Sequence, residues 1–250
     1  MKEGRDWQNL PGFLEGLNSA KRKLHAWQIE KLVRRANMAG RQGVVFECLR
    51  RVESTGVGLW DLAVVREAMW GAVMKAQQGN WEKDAVEKAA KYARDLWDLM
   101  EDPRHVVKAR DVSAENLPKA RPEIVGVLLQ LEAAKTLLSG KGATAEVQNA
   151  TQLLLSAWHN TPLNLSNNTA TWFDSNAALL IWAPVWHGMT IARKVLGQES
   201  KYGKLLREKI TEVEPALERA KEAVAGSGAM EKEGGRRGVR VWEELGKVSF

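Results

Sequence analysis

The sequence has little of several residue types, and each shortage excludes a class of protein. Its 250 residues contain one cysteine, Cys48, which excludes an internal disulfide framework and a cysteine-based metal cage. The four histidines stand singly, so neither a histidine metal site nor a nucleophile and base pair is predicted. We therefore expect a non-enzymatic protein with no catalytic residues, no cofactor, no metal and no small-molecule substrate.

Long apolar runs are also missing. The longest, residues 177–192, contains Pro184 and His187 and is shorter than the roughly 20 residues that span a bilayer. We interpret it as a buried core helix and expect no membrane span. The first residues, Met1 to Trp7, match neither a secretory signal nor a clean mitochondrial presequence.

Charge is unevenly distributed along the chain. The formal net charge is +6, and the excess lies at the two ends: residues 1–57 carry 11 basic and 6 acidic groups, and residues 201–250 carry 11 and 9. A basic surface attracts polymers that carry phosphate, although many basic proteins never bind nucleic acid. Charge alone therefore leaves the class of partner open.

Apolar residues recur at helical spacing along most of the chain, and strand-like alternation is nearly absent. The first pair of apolar stripes consists of Ile29, Leu32, Val33 and Ala36, then Val45, Cys48, Leu49 and Val52. Further helical hairpins turn at Gln78–Asn80 and at Gly140–Gly142. The sequence thus predicts an all-α fold of stacked antiparallel helical hairpins, similar to an α-solenoid.

Composition divides the chain into four predicted regions. Residues 1–102 hold the basic helical hairpins, and the three prolines within residues 103–122 predict a linker. Residues 123–226 are a helical region rich in tryptophan, with a long helix from about Asn176 to Leu196 and a kink or break at Pro215. Residues 227–250 are predicted to be a mobile charged tail that docks through Trp242.

The first hairpin carries a family resemblance. Gln28 to Gly58, with Leu32-Val33, the Ala39-Gly40-Arg41 turn, Cys48-Leu49 and the closing Gly56-Val57 pair, resembles a pentatricopeptide repeat. The second hairpin looks like a degenerate pentatricopeptide or tetratricopeptide unit. The resemblance implies an organellar protein, placed in the mitochondrial matrix or otherwise in another reducing compartment, that binds single-stranded RNA or serves as a scaffold in organellar gene expression.

The same resemblance distinguishes contacts that read RNA bases from contacts that bind only RNA phosphates. Base-reading members carry small polar residues in the first helix and Asp or Asn at the repeat's end, whereas this sequence has Glu30 and Trp60. Basic residues of the first hairpin can still contact phosphates without reading bases. The predicted phosphate contacts are Lys21, Arg22, Lys23, Lys31, Arg34, Arg35, Arg41, Arg50 and Arg51. The alternative is that these residues form an ordinary solvated helix face.

Eleven tryptophans are unusual for a chain of this length, and several lie where charge is scarce. Between Gly142 and Ala192 only Glu146 and Asp174 carry formal charge. Such a region is either a well-buried core or a protein interface. The predicted interface residues are Trp158, Trp172, Phe173, Trp182 and Trp186.

A cluster of carboxylates in the second hairpin could hold a metal or act in acid and base catalysis. Its members are Asp95, Asp98, Glu101 and Asp102. We interpret it as a surface of ion pairs, because lysines and arginines share its helix at ion-pairing distances.

Two functions follow from these patterns. The first is a helical-repeat adaptor that binds RNA or a ribonucleoprotein through its basic first half and a protein partner through its tryptophan-rich second half. The alternative is a structural subunit or assembly factor that acts only through protein–protein contacts.

Overall fold

The structure, a computed structural model, describes residues 4–106, 117–160, 171–231, 237–248 and 250. Within these residues the chain forms thirteen α-helices and no strand, which confirms the predicted all-α class. The chain divides into two compact units, residues 1–120 and residues 121–250. Much of the predicted linker lies outside the described residues. Across the described helices, none is long and apolar enough to cross a membrane.

Unit 1 contains eight helices in its described part. They are α1 (Gly4–Gln8), α2 (Leu10–Ser19), α3 (Ala26–Met38), α4 (Gln42–Arg50), α5 (Val52–Thr55), α6 (Leu62–Gln78), α7 (Lys83–Leu99) and α8 (Pro103–Val106). A short 3-10 helix, Pro118–Ala120, ends the unit. Helix α3 packs against α4 and α6, α6 packs against α7, and α2 packs against α4 and α5.

Local chemistry sets the turns of the first hairpin. Gly40, between α3 and α4, has φ +69°, and Gly56, which ends α5, has φ +71°. Both values lie in the left-handed region that residues with a Cβ rarely adopt. Helix α6 then begins at Asp61, whose carboxylate accepts hydrogen bonds from the backbone of Ala63 and Val64.

Amide side chains, two of them buried, join α3, α4 and α6. The Asn37 side chain, with no exposed surface, donates to the backbone oxygen of Glu67 at 2.6 Å. The side chains of Gln42 and Gln78 both donate to the backbone oxygen of Asn37 at 3.3 Å. A Cβ on Gly71 would lie 2.5 Å from Asn37 Oδ1, so glycine permits the close approach of α6 to α3. These contacts hold α3 in a defined orientation.

Unit 2 contains five helices in its described part. They are α9 (Pro122–Leu138), α10 (Ala145–Asn160), α11 (Trp172–Leu196), α12 (Lys201–Gly226) and α13 (Arg237–Lys247). Helix α9 packs against α10 and α11, and α11 also packs against α12 and α13. The predicted long apolar helix is α11, which begins four residues earlier than predicted and ends at the predicted residue, Leu196.

Helix α9 is buried along most of its length. Every residue from Pro122 to Ala134 is buried, because α10 and α11 both cover it. Its polar residues Glu123, Gln130 and Glu132 are buried as well. Helix α9 is therefore buried around its whole circumference along these residues.

The structure bears on two expectations about the end of the chain. Pro215 lies inside α12, which continues through it as one helix, so the predicted break does not occur there. Part of the predicted mobile tail forms α13, in which Val239, Val241, Trp242 and Leu245 are buried. The indole of Trp242 lies 4.4 Å from that of Trp186 and donates a hydrogen bond to Glu218. The apolar spacing of these residues favours a helix once α11 and α12 offer a surface to cover it.

A buried histidine predicts that unit 2 is sensitive to acid. The Gln130 amide donates to Nδ1 of His187 at 2.7 Å, and burial followed by the Lys194 charge lowers the pKa of His187 to about 3. Between the usual value of 6.5 and about 3, the unfolded chain binds a proton that the folded chain does not, so stability falls as pH falls. We expect the free energy of unfolding to drop by about 2 kcal/mol from about pH 7 to pH 5.

Urea denaturation of the full chain at several pH values measures this dependence. His187→Asn is the comparison, because its slope against pH should be shallower than that of the natural chain by one proton. Equal slopes in the two chains would contradict the assignment.

Candidate nucleic-acid interface

The exposed face of α3 combines an aromatic ring with cations. Trp27, Lys31, Arg34 and Met38 follow one another at spacings of four, three and four residues, which places them on one side of the helix. Trp27 is 61% exposed and Met38 is 58% exposed. Arg35 lies one turn beyond Lys31 and borders the same face. We call Trp27, Lys31, Arg34, Arg35 and Met38 the α3 stripe.

The opposite face of α3 explains why this stripe points to solvent. Ile29, Val33, Ala36 and Asn37 are buried on that side. An amphipathic helix that buries this set against α4 and α6 must expose the residues half a turn away. The fold therefore orients the stripe outward.

Six of the nine predicted phosphate contacts have no carboxylate partner within the described residues. These six are Lys21, Arg22, Lys23, Lys31, Arg35 and Arg41, and all are exposed. The first three precede α3 and Arg41 follows it, so α3 and its two ends carry all six charges. A polyanion can approach these cations without displacing a protein carboxylate.

The other three predicted contacts are ion-paired. Arg34 lies 2.6 Å from Glu30, Arg50 lies 3.6 Å from Glu47, and Arg51 contacts both Glu47 at 2.6 Å and Glu15 at 3.4 Å. These partners at helical spacing, and Glu15 on α2, partly neutralise the arginines. Arg50 and Arg51 also lie at the end of α4 rather than on α3. The structure thus divides the nine predicted phosphate contacts, which the sequence placed on one surface, into six unpaired and three ion-paired cations within the described residues.

A cavity borders two of the unpaired cations. It has a volume of about 140 Å³ and lies between α2, the segment before α3, and residues 55–61. Arg22 and Lys23 line it together with aliphatic side chains such as Leu14 and Ile29. These two cations therefore border a concave surface next to the first turn of α3.

Among the described residues, three of the four carboxylates of the acidic cluster form ion pairs, and Asp95 is the one that pairs within its own helix, α7, as the sequence interpretation expected. Asp95 lies 2.7 Å from Lys91, Glu101 pairs with Lys119, and Asp102 lies 2.6 Å from Arg104. Hydrogen bonds from Arg104 hold the pKa of the Asp102 carboxyl well below its usual range. No group of three metal-ligating side chains occurs in the part of the chain that the structure describes. Burial raises the pKa of the Cys48 thiol to about 12, which makes it unreactive.

The five predicted interface residues of unit 2 have different surroundings. Trp158 is 2% exposed and stacks edge-on against Trp182 at 5.4 Å, so its ring belongs to the core. Trp172, Trp182 and Trp186 are half-buried, and Trp186 contacts Trp242. Phe173, at 64% exposed, is the one member whose ring lies largely on the surface.

Sequence reasoning missed the outer face of α10. Its exposed residues after the first turn are uncharged, and Leu153 among them is 45% exposed. The set consists of Gln148, Asn149, Gln152, Leu153, Ser156, His159 and Asn160. Solvent-facing helices usually carry Lys, Glu or Arg, so a neutral outer face is typical of a surface that a partner covers. The sequence signal that could have identified this face is the recurrence of neutral polar residues at helical spacing along α10.

Comparison with known proteins identifies the family. The sequence profile of the family described as mitochondrial ribosomal protein mS27 matches residues 1–244. The chain is 29% identical over 157 residues to small ribosomal subunit protein mS27 of Neurospora crassa, a match that covers 60% of this chain and 40% of that relative.

The family profile matches nearly the whole chain, residues 1–244. The chain therefore belongs to the mS27 family of mitochondrial ribosomal proteins. This family consists of ribosomal proteins rather than enzymes, which confirms the non-enzymatic prediction and the predicted mitochondrial location.

Proposed function

We propose that this member of the mS27 family is a helical adaptor of the mitochondrial small ribosomal subunit, which binds ribosomal RNA through unit 1 and a ribosomal protein through unit 2. The observation that carries the RNA contact is the set of six exposed cations on α3 and at its ends that have no carboxylate partner in the described part of the chain. The name of the Neurospora relative, a small ribosomal subunit protein, supports the same assignment.

The proposed contact with RNA depends on charge and does not distinguish between base sequences. Lysine and arginine side chains that bind phosphate oxygens position a protein on RNA but do not distinguish bases. Glu30, at the position where base-reading repeats carry a small polar residue, is occupied by its ion pair with Arg34. A protein that holds a fixed position in an assembled ribosome needs complementary shape and charge. It does not need side chains that read the base sequence of a variable transcript.

The repeat identity of unit 1 is part of this proposal. The first helices of the two hairpins, α3 and α6, pack side by side, and each is followed by its own antiparallel partner. The left-handed glycines Gly40 and Gly56 lie where the pentatricopeptide pattern has its turn and its end. We assign α3 to α7 as two pentatricopeptide-like units on this arrangement.

A second candidate function is a subunit that acts only through protein–protein contacts. The neutral outer face of α10 and the exposed ring of Phe173 favour it, because neither feature attracts phosphate. Both functions share the protein partner of unit 2. They differ in whether unit 1 binds RNA.

Charge reversal on α3 tests the RNA contact. The full chain carrying Lys31→Glu and Arg35→Glu should lose at least about ten-fold in affinity for single-stranded RNA at low ionic strength. The slope of log affinity against log salt should also become shallower by about 0.7 for each lost phosphate contact. Filter binding to an RNA pool over a range of salt concentrations measures both quantities.

The matched control carries Lys83→Glu and Lys88→Glu on α7. These lysines are also exposed, and their reversal changes the net charge by the same amount. The control should keep most of the affinity of the natural chain. Absence of RNA binding by the natural chain at low salt would remove the RNA contact and leave the second candidate.

A further inference from the structure

We propose that Trp27 is a stacking platform for an unpaired RNA base, flanked by Lys31 and Arg35 as contacts to the neighbouring phosphates. This inference rests on the proposed RNA contact of unit 1 and adds a specific residue and a specific form of RNA to it. The ligand is a single-stranded segment with at least one base free of pairing.

The exposure of Trp27 is the first observation. Its side chain is 61% exposed although apolar aromatic surface gains free energy by burial. It belongs to no ring pair or cation contact within the described residues. A large indole without a covering neighbour is typical of a residue that a ligand covers in the assembled state.

The surrounding charge decides which ligand fits. Lys31, one turn from Trp27, and Arg35, one turn further, are exposed and have no carboxylate partner in the described chain. The carboxylate of this part of α3, Glu30, is held by Arg34 at 2.6 Å. The face is therefore an aromatic ring beside an uncompensated positive charge, which complements a chain that alternates flat rings and phosphates.

Geometry excludes a duplex as the preferred ligand. The bases of paired RNA are stacked inside the helix, so an aromatic side chain on a convex helix face cannot reach their flat surfaces. An unpaired base can turn outward and lie against the indole. Every base has such a surface, so Trp27 gives no sequence preference, in agreement with the missing base-reading residues.

Other parts of the stripe are consistent with an extended strand. Trp27 and Met38 lie eleven residues apart on α3, which is about 16 Å along the helix axis. Lys31, Arg34 and Arg35 lie between them. With one base stacked on Trp27, an RNA strand of a few nucleotides that continues along α3 would bring its phosphates next to these cations. Met38 would offer a second apolar surface to a base at the other end of the strand.

Substitution of Trp27 in the full chain tests the inference. Trp27→Ala should weaken binding to a single-stranded RNA of mixed sequence by about ten-fold, whereas Trp27→Phe, which keeps a flat ring, should retain most of the affinity. Affinity for a fully paired RNA of the same length should change by less than about two-fold. The salt slope should stay the same in both variants, because no cation is lost.

Phe13→Ala is the matched control. Phe13 is the comparable exposed aromatic of unit 1, at 55%, and α2 carries no lysine or arginine. Its loss should leave RNA affinity unchanged. Circular dichroism melting of each variant shows whether the fold is retained, as we expect for residues this exposed.

Three outcomes would overturn the inference. Equal single-strand affinity of Trp27→Ala and the natural chain would assign the ring to a protein contact. Equal loss on single-stranded and paired RNA would assign it to a general positioning role. A natural chain that binds no RNA at low salt would overturn the proposed RNA contact as well, which distinguishes that failure from the first two.

Discussion

Trp158→Ala is expected to destabilise the chain by about 3–5 kcal/mol, the range for removing a large aromatic side chain from a core. The ring is 2% exposed and Nε1 makes no hydrogen bond within the described residues, so its contribution comes from packing and from the Lys209 ammonium 5.4 Å from its centroid. Its loss leaves a cavity beside Trp182, which now stacks against it at 5.4 Å. Urea denaturation of the full chain, followed by circular dichroism, measures the change.

The control for this variant is Phe173→Ala. Both residues belong to the aromatic set that the sequence assigned to an interface, but Phe173 is 64% exposed. Its removal should change the free energy of unfolding by less than about 0.5 kcal/mol. Similar losses for Trp158→Ala and Phe173→Ala would contradict the separation of the set into core and surface.

Gly188→Ala is expected to destabilise the chain by about 3 kcal/mol through the contact between α9 and α11. A Cβ at this position would lie 2.9 Å from the backbone nitrogen of Gln130 and 2.9 Å from the backbone oxygen of Gly126. Backbone atoms of a helix buried on all sides cannot move aside cheaply, so the two helices must separate. Thermal and urea denaturation of the full chain measure the loss.

Gly246→Ala provides the matched control in unit 2. It lies in α13, where nothing lies within 4 Å of an added Cβ. Alanine there should be neutral or stabilising by up to about 1 kcal/mol, because it favours the helix more than glycine does. A Gly188→Ala variant as stable as the Gly246→Ala variant would show that α9 and α11 do not approach this closely.

The first hairpin illustrates what local pattern predicts well. The apolar stripes on either side of Gly40 predicted α3 and α4, and the structure has these helices with a left-handed turn between them. Both the helical period and the turn depend on residues close together in sequence. Helix α2, with its two glycines and a proline, was not predicted; it packs against α4 and α5, which lie more than twenty residues further along.

The candidate site was predicted only in part. Sequence identified nine basic residues of the first hairpin, but it did not show that Glu15 of α2 reaches Arg51 across 36 residues of chain. It did not single out Trp27, because an aromatic residue at helical spacing is usually assigned to the core. Whether a ring is covered depends on which helices pack beside it.

By itself, the sequence determined that the chain is helical and where its main hairpins turn. These properties follow from period, turn chemistry and composition, which act over a few residues. Tertiary structure alone decided that Trp158 is core while Trp27 and Phe173 are surface, and that Lys31 and Arg35 have no carboxylate partner among the described residues. The physical reason is that burial and ion pairing depend on neighbours brought together from distant parts of the chain.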